Sequence, residues 1–276
     1  MNTKNGSVTG RVIQSLLILM LLFVMACSTV PLTGRRQLSL VPESDMIALS
    51  FTEYDKFIKS NKLSTDNNKV AMVRRVGNRI ARAVEAYMAK EKLSSNLDGY
   101  KWEFNLVEDP AVNAWCMSGG KVVVYTGLLS LTQTEAGLAT VMGHEIAHAV
   151  ARHGSERMSD QIVLQLGGTA LSAALAQKPE QTRQIAMAAF GVGSQVGIIL
   201  PFSRQNEYEA DYIGLIFMAM AGYNPNESIP FWERMSRQGG SKPPEFLSTH
   251  PVDQNRIARL KSKMSDAMAY YNKTKK

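Results

Sequence analysis

The sequence predicts an α+β fold, mainly helical, with one small sheet set beside the helix that carries His144-Glu145-Ile146-Ala147-His148. Three observations lead there. Apolar residues recur at helical spacing over most of the chain, the period shortens to two only between about residues 102 and 125, and that stretch comes just before the histidine-bearing helix. A length of 276 residues with 45% apolar content is ample for a buried core.

In chain order, residues 1–26 begin polar, with Lys4 and Arg11 and no acid, and end in an unbroken apolar run over 16–26. This is the layout of a secretory signal peptide, and the run is shorter than the ~20 residues a helix needs to span a bilayer. Val24-Met25-Ala26-Cys27 resembles a bacterial lipobox. That resemblance implies that Cys27 is acylated and becomes the first residue of a mature protein held in the bacterial cell envelope, facing the periplasm. Ser28 after the cysteine favours the outer membrane over the inner. Residues 27–42, with Pro31, Gly34 and Pro42, read as a tether; residues 43–270 form the domain and 271–276 a basic tail.

Helical spacing predicts scaffold helices over residues 44–60 and 70–88. Trp102, Phe104 and Leu106 alternate with polar residues and Val122 to Tyr125 follow Gly119-Gly120, which predicts the sheet. Thr132-x-x-Glu135 matches a capping box and predicts a helix reaching about His153, stopped by Gly154. Segments 162–176 and 185–202 are apolar but diluted by Gln and Gly, so buried or partner-facing helices are expected rather than membrane spans. A helix over 204–221 closed by Gly222, another over 226–238, a loop over 239–244 and a last helix opened by Pro251 complete the chain.

Lys and Arg outnumber Asp and Glu by 31 to 24, a net +7 too scattered to indicate nucleic acid. The expected chemistry rests on the pentapeptide. On a helix, His144 and His148 lie one turn apart on one face, so both imidazoles reach one Zn²⁺, while Glu145 is offset toward an attacking water. A third ligand is expected from Glu207, with Asp211 one turn on accepting a hydrogen bond from a ligating histidine. Glu209 reads as part of a solvated face, and Cys116 as a small packing residue rather than a nucleophile.

His144 to His148, Glu207-x-x-x-Asp211 about 60 residues later, and Thr249-His250-Pro251 followed by Arg256 resemble the HtpX/CAAX-prenyl-protease family of zinc metallopeptidases, nearest its BepA-like and LoiP-like branch. The resemblance covers roughly residues 70–265. It implies a gluzincin-type fold, one zinc per chain on His144, His148 and Glu207, Glu145 as general base, and Asn113 and Ala114 on a strand that pairs with an extended substrate. It places His250 near the metal, either gating it or steadying the transition state. Arg204 and Arg256 are candidates for holding an oxyanion or pairing with a site carboxylate. The expected activity is membrane-tethered endopeptidase action on misfolded or unassembled envelope proteins. The alternative is a non-proteolytic chaperone or assembly factor using the same cleft. Expected partners are protein substrates, the membrane through lipidated Cys27, and envelope assembly partners or a second copy of the chain. Unlike other branches of the family, the sequence shows neither a set of convincing transmembrane helices nor a helical-repeat segment after residue 270.

Overall fold

The computed structural model describes residues 27–195, 199–238, 246, 250 and 254–275. The signal-peptide segment, the 239–244 loop, Thr249 and Pro251 lie outside these residues. An N-terminal hairpin pairs β1 (Cys27–Thr29) with β2 (Arg36–Leu38). Helices α1 (Glu43–Ser60) and α2 (Asn67–Lys90) follow, then β3 (Glu103–Val107), β4 (Ala114–Met117) and β5 (Lys121–Tyr125). The sheet runs β3-β5-β4, parallel between β3 and β5 and antiparallel between β5 and β4, which leaves β4 at an edge.

Asp66 caps α2 by accepting from the backbone of Asn68 and Lys69, and Val73, Val76, Ile80, Val84 and Met88 form its buried stripe. Gly77 lets this helix lie flat on β3, because a Cβ there would sit 2.3 Å from the Phe104 ring. After α3 (Thr126–Thr132) comes α4 (Glu135–Val150), buried around almost its whole circumference and lying along β4. Its cap is Thr134, whose hydroxyl accepts from Gly137 N, rather than the expected Thr132, which ends α3. Gly154 does not stop it either: α4 ends at Val150, Arg152 takes a left-handed φ of 59°, and α5 (His153–Ala174) starts at once.

Helices α5 and α6 (Glu180–Ser194) pack on one another, but none of the residues of α6 is buried, and Leu166, Ile185 and Val192 are each about two-thirds exposed. Of the two expectations, buried or partner-facing, burial in this hairpin is found only at the start of α5, where His153, Ser155, Glu156 and Ser159 pack against α4 and β2. No helix among them is long and apolar enough to cross a membrane. The core closes with α7 (Leu200–Met220), α8 (Ser228–Arg237) and α9 (Gln254–Thr274).

Helix α7 crosses α4 at backbone distance. A Cβ on Gly143 would lie 2.9 Å from Gly214 O, and one on Gly214 would lie 2.8 Å from His144 N. Gly143→Ala and Gly214→Ala are therefore expected to lower stability by ~1–3 kcal/mol through overpacking. Gly191→Ala, where a Cβ meets nothing within 4 Å, should be neutral or stabilise α6 by ~0.5–1 kcal/mol. Urea unfolding of the three variants checks the contrast.

Candidate metal centre

The α4–α7 crossing brings His144 and His148 against Glu207. The two Nε2 atoms are 3.1 Å apart, and they lie 3.4 and 3.3 Å from the two Glu207 carboxylate oxygens. His250 joins from beyond α8, with Nδ1 3.0 Å from Glu207 Oε1 and 3.3 Å from His144 Nε2. One ligand atom from each of these four residues falls within 4.8 Å of all the others.

The contacts on the outer side of each ring show why these atoms fit a cation. His144 turns Nδ1 to Asp211 Oδ1 at 3.0 Å and His148 turns Nδ1 to His153 at 2.9 Å, so each ring places its N–H on the outer nitrogen. In the neutral rings that metal binding requires, both Nε2 lone pairs then point inward at a carboxylate, and a metal ion satisfies them together in place of the proton that His144 otherwise carries. Nitrogen and carboxylate donors in this number suit a borderline divalent ion. Glu145 Oε1, buried and 3.6 Å from His250 Nε2, has no hydrogen-bond partner among the described residues, as expected of a group waiting for a water or substrate.

The electrostatics follow from burial and pairing. Burial alone would lower His144, but hydrogen bonds with Asp211 and Glu207 carry it up to about 9. Burial dominates at His148 and holds it well below the usual histidine value. Glu207, although buried, is kept far below the carboxylate range by His148, His144 and His250, whereas burial raises Glu145.

Of the two roles expected of Arg256, the structure shows the pairing with a site carboxylate. It is fully buried, its guanidinium donates through Nε and Nη2 to both Asp211 oxygens at 2.7 Å, and it stacks 3.5 Å over the Trp232 ring. Its remaining donor Nη1 goes to the His250 carbonyl at 3.4 Å and lies 3.5 Å from Glu207, so it acts as a positioning residue behind the ligand cluster. Arg204 is misplaced by the sequence reading: it is exposed and borders a surface cavity with Tyr208, Tyr212 and Arg259. Glu209 is the opposite case. It is buried, accepting from Arg35, Thr33 and His153 instead of facing solvent. The segment read as a tether is consequently docked, with Val30 and Gln37 buried.

Asn113 and Ala114 lie at the start of edge strand β4. Asn113 Oδ1 accepts from Ala114 N at 2.9 Å and Asn113 O accepts from Tyr125 N at 3.1 Å, fixing the entry to edge strand β4. Cys116 on that strand donates weakly to Met117 O, and burial beside Glu145 pushes its thiol well up, which removes its nucleophilicity. Phe246 also escaped the sequence reading: it stacks on His250 with centroids 4.7 Å apart, and its N–H donates to Val112 O at 3.2 Å. His153 was missed as well, although a count would have found it. The chain has only four histidines, and all four meet here.

A two-histidine helix crossed by a Glu-bearing helix, next to an edge strand, defines an HExxH metallopeptidase centre. The family model for "Peptidase family M48" matches residues 74–264, and the chain belongs to that family. It is 36% identical over 197 residues to the mitochondrial metalloendopeptidase OMA1 of Saccharomyces cerevisiae, covering 68% of this chain and 54% of the relative. It is 34% identical over 179 residues to the beta-barrel assembly-enhancing protease of Escherichia coli, covering 62% and 37%. With the human mitochondrial OMA1 the identity is 31% over 238 residues, covering 83% and 44%. The chain thus spans between about a third and a half of the length of these relatives.

Arg256→Ala would leave the buried Asp211 carboxylate without its bidentate partner, and is expected to cost ~3–5 kcal/mol in the metal-free protein. Arg256→Lys should not restore it, because one ammonium cannot span both oxygens and stack on Trp232. Thermal melts of the two variants without metal test this.

Proposed function

We propose that this chain is a zinc-dependent endopeptidase, held at a membrane through lipidated Cys27, that cleaves misfolded or unassembled proteins of the cell envelope. The observation that carries the proposal is the convergence of two Nε2 atoms and the Glu207 carboxylate beside the Glu145 Oε1 that has no hydrogen-bond partner among the described residues. His144, His148 and Glu207 would hold the ion. When bound, zinc supplies Lewis acidity toward the scissile carbonyl and makes water a competent nucleophile at neutral pH. Glu145 takes the proton of the attacking water on Oε1 and passes it to the leaving nitrogen as the peptide bond breaks. The open edge of β4 holds the substrate as an added strand, so main-chain hydrogen bonds supply affinity and side-chain preference stays loose. A loose preference suits clients recognised by being unfolded.

His250 acts as a gate in this account. Its ring lies among the ligands, and the Phe246 N–H occupies the Val112 carbonyl just ahead of β4, so Phe246 and His250 sit at the strand entry and at the ligand cluster respectively. An envelope setting is supported by the lipobox-like residues 24–27 and by likeness to a beta-barrel assembly-enhancing protease. A non-proteolytic chaperone would need no general base, and the buried Oε1 of Glu145 beside the ligand cluster, without a hydrogen-bond partner among the described residues, supports the peptidase reading over it.

Purified protein should contain about one zinc per chain and cleave casein, while Glu145→Gln should keep the zinc and lose cleavage by more than ~10²-fold. Full cleavage by that variant would overturn the assignment, and client binding without cleavage by the wild type would favour the chaperone. His250→Ala should retain zinc and raise basal cleavage or self-cleavage; a fall in activity would assign His250 to the transition state instead. Intact mass of membrane-extracted protein should show an acylated Cys27 as the first residue, and an unmodified Cys27 would refute the lipid anchor.

A further inference from the structure

Behind His148 runs a chain of buried contacts that none of the proposed catalytic steps uses. His148 Nδ1 lies 2.9 Å from Nδ1 of His153, and His153 Nε2 lies 3.1 Å from Glu209 Oε2. Only one arrangement of protons serves both contacts with neutral rings. His148 Nδ1–H donates to the lone pair on His153 Nδ1, and His153 Nε2–H donates to the Glu209 carboxylate. The reverse arrangement would aim a lone pair of His153 at a carboxylate oxygen and protonate Nε2 of His148. The observed contacts therefore keep His148 Nε2 bare and turned inward, as a metal ligand requires.

Glu209 is itself held by the N-terminal hairpin. Its Oε1 accepts from the Thr33 hydroxyl, and its Oε2 accepts from Arg35 Nε at 2.7 Å. The far edge of the same guanidinium donates to both oxygens of buried Glu156 at 2.6 and 2.8 Å. A planar fork clamped between two buried carboxylates has one orientation, so the turn joining β1 to β2 fixes where Glu209 points. The arrangement parallels the other ligand, where Arg256 clamps Asp211 behind His144. Each histidine on α4 thus has an arginine-braced carboxylate behind it, direct for His144 and relayed by His153 for His148.

We infer that Thr33 and Arg35 of the N-terminal hairpin are positioning residues of the metal site: through Glu209 and His153 they fix the tautomer and orientation of His148, so full metal affinity requires the hairpin to be docked. The inference rests on the reading that His144, His148 and Glu207 bind zinc. Its consequence is that the segment bearing Cys27 is part of the support of the site, which couples the state of the anchor to the state of the metal.

The test uses the full chain with Zn²⁺ as probe, by chelator competition on the wild type, Glu209→Gln, Thr33→Val, Arg35→Ala and Arg35→Lys, together with melting of each metal-free protein. Glu209→Gln and Arg35→Ala should weaken zinc binding by ~10–100-fold, as outer-shell partners do. Thr33→Val, the mildest change, should lose less, and Arg35→Lys should recover only part of the affinity. Nitrogen-15 NMR of the metal-free histidines separates positioning from mere scaffolding: His148 should carry its proton on Nδ1 in the wild type and populate both tautomers in Glu209→Gln. Tight zinc binding by the wild type with unchanged affinity in folded Glu209→Gln and Thr33→Val would overturn the inference and leave the zinc site standing. Failure of the wild type to bind zinc would overturn both.

Discussion

Where α4 crosses α7, Gly143 lies against Gly214 so closely that a methyl group on either would overlap the backbone of the other helix, 2.9 Å from Gly214 O or 2.8 Å from His144 N. Ordinary helix pairs stand 8–10 Å apart, with side chains between them, so ~8–10 Å is the separation that larger residues here would restore. At that distance Glu207 would not reach both Nε2 atoms, which now lie 3.4 and 3.3 Å from its oxygens. The same approach delivers Asp211, one turn further along α7, to Nδ1 of His144. Two glycines without any chemistry of their own therefore set the geometry of the ligands.

A site this dry needs its charges balanced from behind. His144, Glu145, Glu207, Asp211 and Arg256 are all buried, and a buried ion without a partner is costly. The balance is achieved by order of contact: arginine to carboxylate, carboxylate to the outer nitrogen of a histidine, and the inner nitrogen to the metal position. Trp232 adds its ring face to Arg256, which keeps the guanidinium flat against Asp211. Glu145 stands outside this order, with an oxygen left unpartnered, and that is the freedom a proton carrier needs.

What the sequence made legible was what lies within a turn or two of helix. His144 and His148, or Glu207 and Asp211, share a face by spacing alone, and the shift in apolar period placed β3 and β5 correctly. What it hid was tertiary. Arg35 meets Glu156 and Glu209 across 121 and 174 positions of chain, and no local pattern announces such a pairing. Because residues 27–42 hold two prolines and a glycine, they resemble a linker, yet two ion pairs dock them. Glu209 sits between Glu207 and Asp211 off their shared face and so reads as solvated, until His153 and the N-terminal turn cover it. The apolar α5–α6 hairpin shows the other limit of the sequence, because hydrophobic content marks a surface that needs cover without saying what covers it.

The central claim is that imidazole nitrogens and one carboxylate hold a single zinc ion, with His250 among them at rest. X-ray absorption at the zinc edge of the loaded protein tests it most directly. The account predicts a shell of nitrogen and oxygen at ~2.0–2.2 Å, with outer scattering from three imidazoles that falls to two in His250→Ala. Sulfur at ~2.3 Å, or a shell of oxygens with no imidazole scattering, would contradict it.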